Sequence, residues 1–97
     1  VGDCLYTIPH LTPNASYTVR LHFAELYWTQ AGKRTFTVTL NGQVVLSNFD
    51  ILATAGAANK AVVEQFTTQA DSTGAITIKF QTVKDNAQIN AIEVLAV

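Results

Sequence analysis

The feature that most limits what this chain can become is a two-residue hydrophobic period that recurs along it, each run stopped by turn-forming residues. In the longest run Tyr17, Val19, Leu21 and Phe23 alternate with Thr18, Arg20 and His22, the pattern of a strand with one buried face. Phe36, Val38 and Leu40 alternate in the same way with Thr35, Thr37 and Thr39, and Ile76, Ile78 and Phe80 with Thr77, Lys79 and Gln81. Asn41-Gly42 follows Leu40. Both residues tolerate the positive φ of a type I′ turn, so Gln43 to Leu46 is expected to return as the hairpin partner. Shorter extended segments are expected over Asp3 to Ile8, Asn48 to Ala53, Ala61 to Thr68 and Ile89 to Val97. His10 to Ser16, Thr29 to Lys33, Thr54 to Lys60, Gln69 to Gly74 and Val83 to Gln88 read as loops. In the Gly/Ala-rich loop, Gly56 and Asn59 interrupt any helical turn. About seven or eight short strands, turns every eight to twelve residues and no helical period predict an all-β fold, an antiparallel β-sandwich.

The 97 residues make one domain, 1–97, with enough chain for a single core. Hydrophobic residues at 48% against 13% charged exclude a disordered chain. Of six Lys and Arg the only adjacent pair is Lys33-Arg34, so no basic stripe exists to neutralise phosphates and no nucleic acid partner is expected. No apolar run is long enough to cross a bilayer, and no signal peptide is visible. The sequence holds no Met, which marks it as a processed form or a piece of something longer. The single cysteine, Cys4, makes no internal disulfide and is read as a small buried apolar residue. Asn14-Ala15-Ser16 fits an N-glycosylation acceptor, relevant only to a eukaryotic secreted protein.

The long run changes parity near its end. Leu26 and Trp28 take the register of His22, whereas Glu25 and Tyr27 continue that of Phe23. This phase change predicts a bulge, with Tyr27 and Trp28 ending the strand at a rim where at least one ring is exposed. Catalysis is not expected. Glu25 and Asp85 are the only carboxylate pair that could be nominated for a glycosidase, and Ser16, Ser47 and Ser72 lie in no nucleophile-elbow pattern. His10 and His22 lack metal-ligand spacing, so no metal or cofactor is expected.

Four stretches in order, RLHFAELYW (Arg20 to Trp28), FTVTLNGQVVL (Phe36 to Leu46), FDILATAGAANKAVV (Phe49 to Val63) and VKDNAQINAIEV (Val83 to Val94), resemble the malectin family, which includes bacterial carbohydrate-binding modules. The resemblance implies a jelly-roll-like, lectin-type sandwich that binds carbohydrate through loops at one end and does no chemistry on it. It further implies a glucose-containing oligosaccharide or polysaccharide as partner, and a catalytic domain in the parent chain. A secreted, bacterial-type setting is expected, or the endoplasmic reticulum lumen for an animal member. The family's aromatic pair matches Tyr27 and Trp28, and the acid of its KDN loop matches Asp85. Asn86 and Glu25 complete the candidate carbohydrate-binding set.

Rings such as Tyr27 and Trp28 cover the CH-rich face of a sugar, and a carboxylate such as Asp85 accepts charge-assisted bonds from neighbouring hydroxyls. Asn86 can donate and accept beside it, and Asn59 and Lys60 are candidates to reach the same end. Glu25 is expected to pair with Arg20 or a backbone amide if it does not meet ligand. His22 is read as a hydrogen-bonded structural residue. The chain departs from the family by lacking the segment that normally precedes the stretch matched by Val1 to Ile8. That leaves an edge strand exposed or paired in a homodimer, and supports an alternative reading: a protein-interaction or structural sandwich that has lost the sugar site.

Overall fold

The computed structural model describes residues 3–97; Val1 and Gly2, at the start of the matched N-terminal stretch, lie outside the described residues. Seven strands and one short helix follow in the order β1 (Cys4–Ile8), β2 (Ser16–Ala24), β3 (Thr35–Leu40), β4 (Gln43–Phe49), α1 (Ile51–Ala55), β5 (Ala61–Gln69), β6 (Ile76–Lys84) and β7 (Ala91–Ala96). They form a four-stranded sheet, β1-β6-β3-β4, and a three-stranded sheet, β5-β2-β7. Every pairing is antiparallel. The expected sandwich is the observed one.

The alternation in sequence becomes the core. Val19, Leu21 and Phe23 of β2 face Phe36, Val38 and Leu40 of β3 and Ile76, Ile78 and Phe80 of β6 across the sandwich, all of them essentially sealed from solvent. Phe23, Phe36 and Phe49 form a mutually packed trio with centroids 5.0–5.7 Å apart, and Phe80 joins through Phe36 at 6.3 Å. Ring pairs at these separations add about 0.5–1.5 kcal/mol each beyond the area they bury. The turn after β3 has positive φ at both Asn41 (46°) and Gly42 (83°), as a type I′ hairpin requires. The Asn41 side chain also links distant segments: it donates to the Gln69 carbonyl at 2.8 Å and accepts from the Thr77 amide at 2.7 Å.

Three expectations are corrected. Asn48 to Ala53 is not one extended segment, because β4 stops at Phe49 and α1 begins at Ile51. Asp50 caps that helix, accepting from the Ala53 amide at 3.0 Å, and Gly56 ends it in the left-handed region at φ 82°. A five-residue helix is too short to display a helical period, so only its caps signal it.

The second correction concerns β2. It pairs residue for residue from Ser16 to Ala24 with β5, without a bulge, and the register shifts lie in β3 against β4 and β6 instead. The parity change at Glu25 is the end of the strand. Third, Cys4 is half-buried rather than fully buried, because its strand lies at a sheet edge.

Candidate functional site

The site is built where β2 ends. Glu25 follows Ala24 on the parity of the core residues and is 1% exposed, so its charge needs partners in the interior. One carboxylate oxygen accepts from the backbone amides of Tyr27 and Trp28, both at 3.2 Å. The other accepts from Arg34 Nε at 2.8 Å. These bonds curl the chain after the strand and lift the aromatic pair onto the surface as a loop rather than as the strand's last residues. Arg34 in turn donates to the Asn86 carbonyl at 2.5 Å and lies 4.0 Å from the Asp85 carboxylate. Of the two partners expected for Glu25, the backbone amides are found, and the cation beside it is Arg34 rather than Arg20. Arg20 sits on the outer face of its sheet beside Glu93, which also meets His22 Nε2 at 2.5 Å. His22 has the structural role expected of it.

The loop between β6 and β7 is stitched to the same end. Asn90 donates its amide to the His22 carbonyl at 2.9 Å and accepts from the Ala24 amide at 3.0 Å through Oδ1. Gln88 donates to the Ala24 carbonyl. This seam carries Asp85 to Trp28. The indole Nε1 donates to Asp85 Oδ2 at 2.6 Å. Asp85 occupies the left-handed region at φ 55°, a conformation that aspartate tolerates better than most residues. The indole N–H, the Asn86 backbone amide and the nearby Arg34 guanidinium hold the Asp85 carboxyl below the usual aspartate value, the indole bond being the largest cause.

Tyr27 is 72% exposed and meets the half-buried Trp28 edge-to-face, centroids 4.8 Å apart and planes at 85°. Lys33 Nζ stands 6.0 Å from the indole centroid, within cation–π reach. The Gly/Ala loop joins from below through the Asn59 amide, which donates to the Glu25 carbonyl at 2.8 Å, and Lys60 is exposed beside it.

Of the residues predicted for the site, Tyr27, Trp28, Asp85 and Asn86 come together at the surface. Glu25 lies beneath them with both oxygens occupied, so it supports the loops and does not present itself to a ligand. It and Asp85 do not flank an open cleft. Asp85, expected to accept from sugar hydroxyls, already accepts from the indole. Arg34 was missed, although its parity with Phe36, Val38 and Leu40 places a charge on a buried face opposite another, Glu25. Lys33 carried no comparable signal. Chemically the arrangement offers a ring held by a hydrogen bond, a second ring free to solvent, and a partly exposed carboxylate held in its ionised form.

The sequence profile of the Malectin domain matches residues 4–92. Among similar proteins, Receptor-like protein 4 of Arabidopsis thaliana is 33% identical over 97 residues, covering 98% of this chain and 15% of that protein. A probable receptor-like protein kinase of the same plant is 43% identical over 54 residues, covering 56% of this chain and 6% of that one. The chain thus spans a small part of the curated relatives it matches. Among solved structures, a chain in the complex of the plant peptide RALF23 with FER and LLG2 superposes with TM-score 0.85 at 19% identity, covering 97% of this chain and 27% of that one. The ANX2 ectodomain of Arabidopsis thaliana gives 0.77 at 17% identity, covering 98% and 27%. A Bacteroides uniformis β-glucuronidase gives 0.82 at 18% identity, covering 96% of this chain but 10% of the enzyme, so the likeness is to one part of a larger protein. At these identities the structures attest the fold. The resemblance carried by the four stretches is thereby confirmed: the chain belongs to the malectin domain family.

Proposed function

We propose that this domain is a non-catalytic binding module whose ligand is a carbohydrate, in the first instance a glucose-containing oligosaccharide, held at the surface formed by Tyr27, Trp28, Asp85 and Asn86. One observation carries the reading. Asp85 fixes the Trp28 indole through its N–H, and the exposed Tyr27 stands edge-on beside it. An aromatic platform whose orientation is set before the ligand arrives costs less ordering on binding, and the partly exposed carboxylate of Asp85 and the Asn86 amide read hydroxyl positions. Lys33 borders the platform and takes part in selecting the sugar. The receptor-like relatives support placement outside the cell, as the binding end of a longer chain.

The test is a titration with glucose oligosaccharides of differing linkage, followed by Trp28 fluorescence and by calorimetry. Binding in the millimolar range or tighter is expected, with loss of at least ten-fold in Trp28→Ala and Asp85→Ala and little change in their unfolding midpoints. A second reading, a sandwich whose loop surface takes a peptide or protein, is supported by the likeness to a chain of the complex of RALF23 with FER and LLG2. The absence of any sugar response from the folded domain would favour it.

A further inference from the structure

At the end of the sandwich away from the aromatic loops, a hollow of about 320 Å³ opens between the two sheets. Its walls come from the start of β2 (Ser16), the β3–β4 hairpin (Leu40, Asn41, Gln43) and the end of β5 (Thr68, Gln69). Two of these residues break the pattern that builds the core. Gln43 is paired with Leu40, and Thr68 with Tyr17. Directly opposed residues share a face of a sheet, and Leu40 and Tyr17 are buried. At this end, then, the inward register of both edge strands carries a polar side chain, although Phe66, the preceding inward residue of β5, packs on the core. Gln43 is exposed and Thr68 half-buried. Among the described residues the side chains of Ser16, Gln43, Thr68 and Gln69 make no hydrogen bond, so their polar groups stay open to what enters the hollow.

The frame around them is fixed. The Asn41 carboxamide bridges the sheets, donating to the Gln69 carbonyl at 2.8 Å and accepting from the Thr77 amide at 2.7 Å. Just past β5 the Ala70 amide donates to the Ala15 carbonyl at 2.9 Å. Walls set before a ligand arrives lower the ordering cost of binding.

The lining also limits what fits. It includes no charged side chain, so an ion bound there would lose hydration without compensation. Its one apolar side chain, Leu40, is 2% exposed, which leaves too little apolar area to hold a lipid or an aromatic ligand. What remains are hydroxyls and carboxamides, groups that both donate and accept, as the neighbouring hydroxyls of a sugar ring do. The volume lies at the lower end of small-molecule sites, about 300–1,000 Å³, which suits one ring rather than a chain.

We infer that this hollow is a carbohydrate contact in its own right, taking a single neutral sugar unit through Ser16, Gln43, Thr68 and Gln69. The observation that carries it is the juxtaposition of open polar groups on an inward register with a braced, uncharged hollow. β2 runs from Ser16 here to Ala24 beside the aromatic loops, roughly 26 Å at about 3.3 Å per residue. A monosaccharide at one end therefore does not touch the other, and the inference holds independently of what the loop end binds.

The test is an amide NMR titration of the folded domain with methyl glucoside, methyl galactoside and methyl mannoside, each taken to tens of millimolar. At least one is expected to shift the signals of Ser16, Gln43, Thr68 and Gln69 saturably, the side-chain amides of both glutamines included, while equimolar glycerol does not. Gln43→Ala and Thr68→Val are each expected to weaken that response about two- to ten-fold, the worth of one neutral hydrogen bond, with unfolding midpoints and any response at Trp28 unchanged. Trp28→Ala is expected to leave it intact. A response that glycerol reproduces, or that both variants retain in full, overturns the inference. So does the absence of saturable shifts at these residues with all three sugars; shifts confined to Trp28, Asp85 and Asn86 would in that case leave the loop-end reading standing alone.

Discussion

Two arginine–glutamate pairs in this molecule share their chemistry and differ in worth. Arg20 and Glu93 face solvent, 37% and 44% exposed, at 3.6 Å, and such pairs contribute about 0–1 kcal/mol. Arg34 and Glu25 are 11% and 1% exposed, at 2.8 Å. Removing one member of an enclosed pair leaves the other charge without compensation, a loss of about 3–5 kcal/mol. Arg34→Ala is therefore expected to lower stability in urea unfolding by that amount, and Arg20→Ala by less than about 1 kcal/mol. Equal losses would contradict the role given to Glu25.

The neighbouring Asp85 sets a second expectation at this scale. Its carboxyl is held below the ordinary 3.8 by the indole N–H first, then by the Asn86 amide and Arg34. A depressed carboxyl contributes its interaction at every pH above the unfolded-state value and loses it as pH falls through the folded one. Trp28 is the sole tryptophan, so its emission should shift on acidification with a midpoint below 3.8 while far-UV circular dichroism is unchanged. Asp85→Asn keeps an acceptor and removes the titration, so its trace should be flat. A midpoint at or above 3.8, or one that persists in the variant, counts against the indole–carboxylate bond.

The turn joining β5 to β6 shows how a single element can be fixed by one missing side chain. Asp71 accepts from the Thr73 and Ala75 amides at 2.9 and 3.0 Å and from the Thr73 hydroxyl at 2.6 Å. The turn so formed docks on the loop after β1 through the bond from the Leu11 amide to the Gly74 carbonyl at 2.9 Å. Gly74 has φ 80°, and a Cβ there would stand 2.3 Å from the Leu11 carbonyl oxygen. Gly32 has a similar φ of 84° and open space around it. Gly32→Ala should thus lose only the left-handed strain, about 1–2 kcal/mol. Gly74→Ala should add an overpacking cost of about 1–3 kcal/mol, so the two variants separate in thermal unfolding.

The sequence reveals elements of this kind unevenly. The strands are legible because a half-buried sheet forces a two-residue period, and the Asn41-Gly42 hairpin because few residues accept its φ values. Helix α1 escapes notice because five residues show no period, and its evidence is confined to Asp50 and Gly56. The candidate site is legible as far as the meeting of Tyr27, Trp28 and Asp85. That Glu25 would be drawn under them depends on Arg34 across the sandwich, a pairing that parity permits and only the folded chain selects.

At the scale of the whole molecule, the topology fixes which parts can open independently. β1 pairs with β6 and β2 with β7, so each sheet is completed only when the first quarter of the chain meets its last quarter. Neither sheet has a buried face without the other, since the Phe23, Phe36, Phe49 and Phe80 cluster draws rings from both layers. Such non-local pairing predicts folding in milliseconds to seconds rather than microseconds, and unfolding as one cooperative unit. Within that unit the strands are not equivalent: β2, β3 and β6 are flanked on both sides, whereas β1, β4, β5 and β7 are sheet edges. Hydrogen exchange should therefore place the slowest amides on β2, β3 and β6, with a shared free energy equal to that of global unfolding. The edges should open at lower cost. Should β2 exchange independently of β3 and β6, the two sheets would be separate units. The loops carrying Trp28 and Asp85, one leaving β2 and the other joining β6 to β7, would then have no common frame to hold them together.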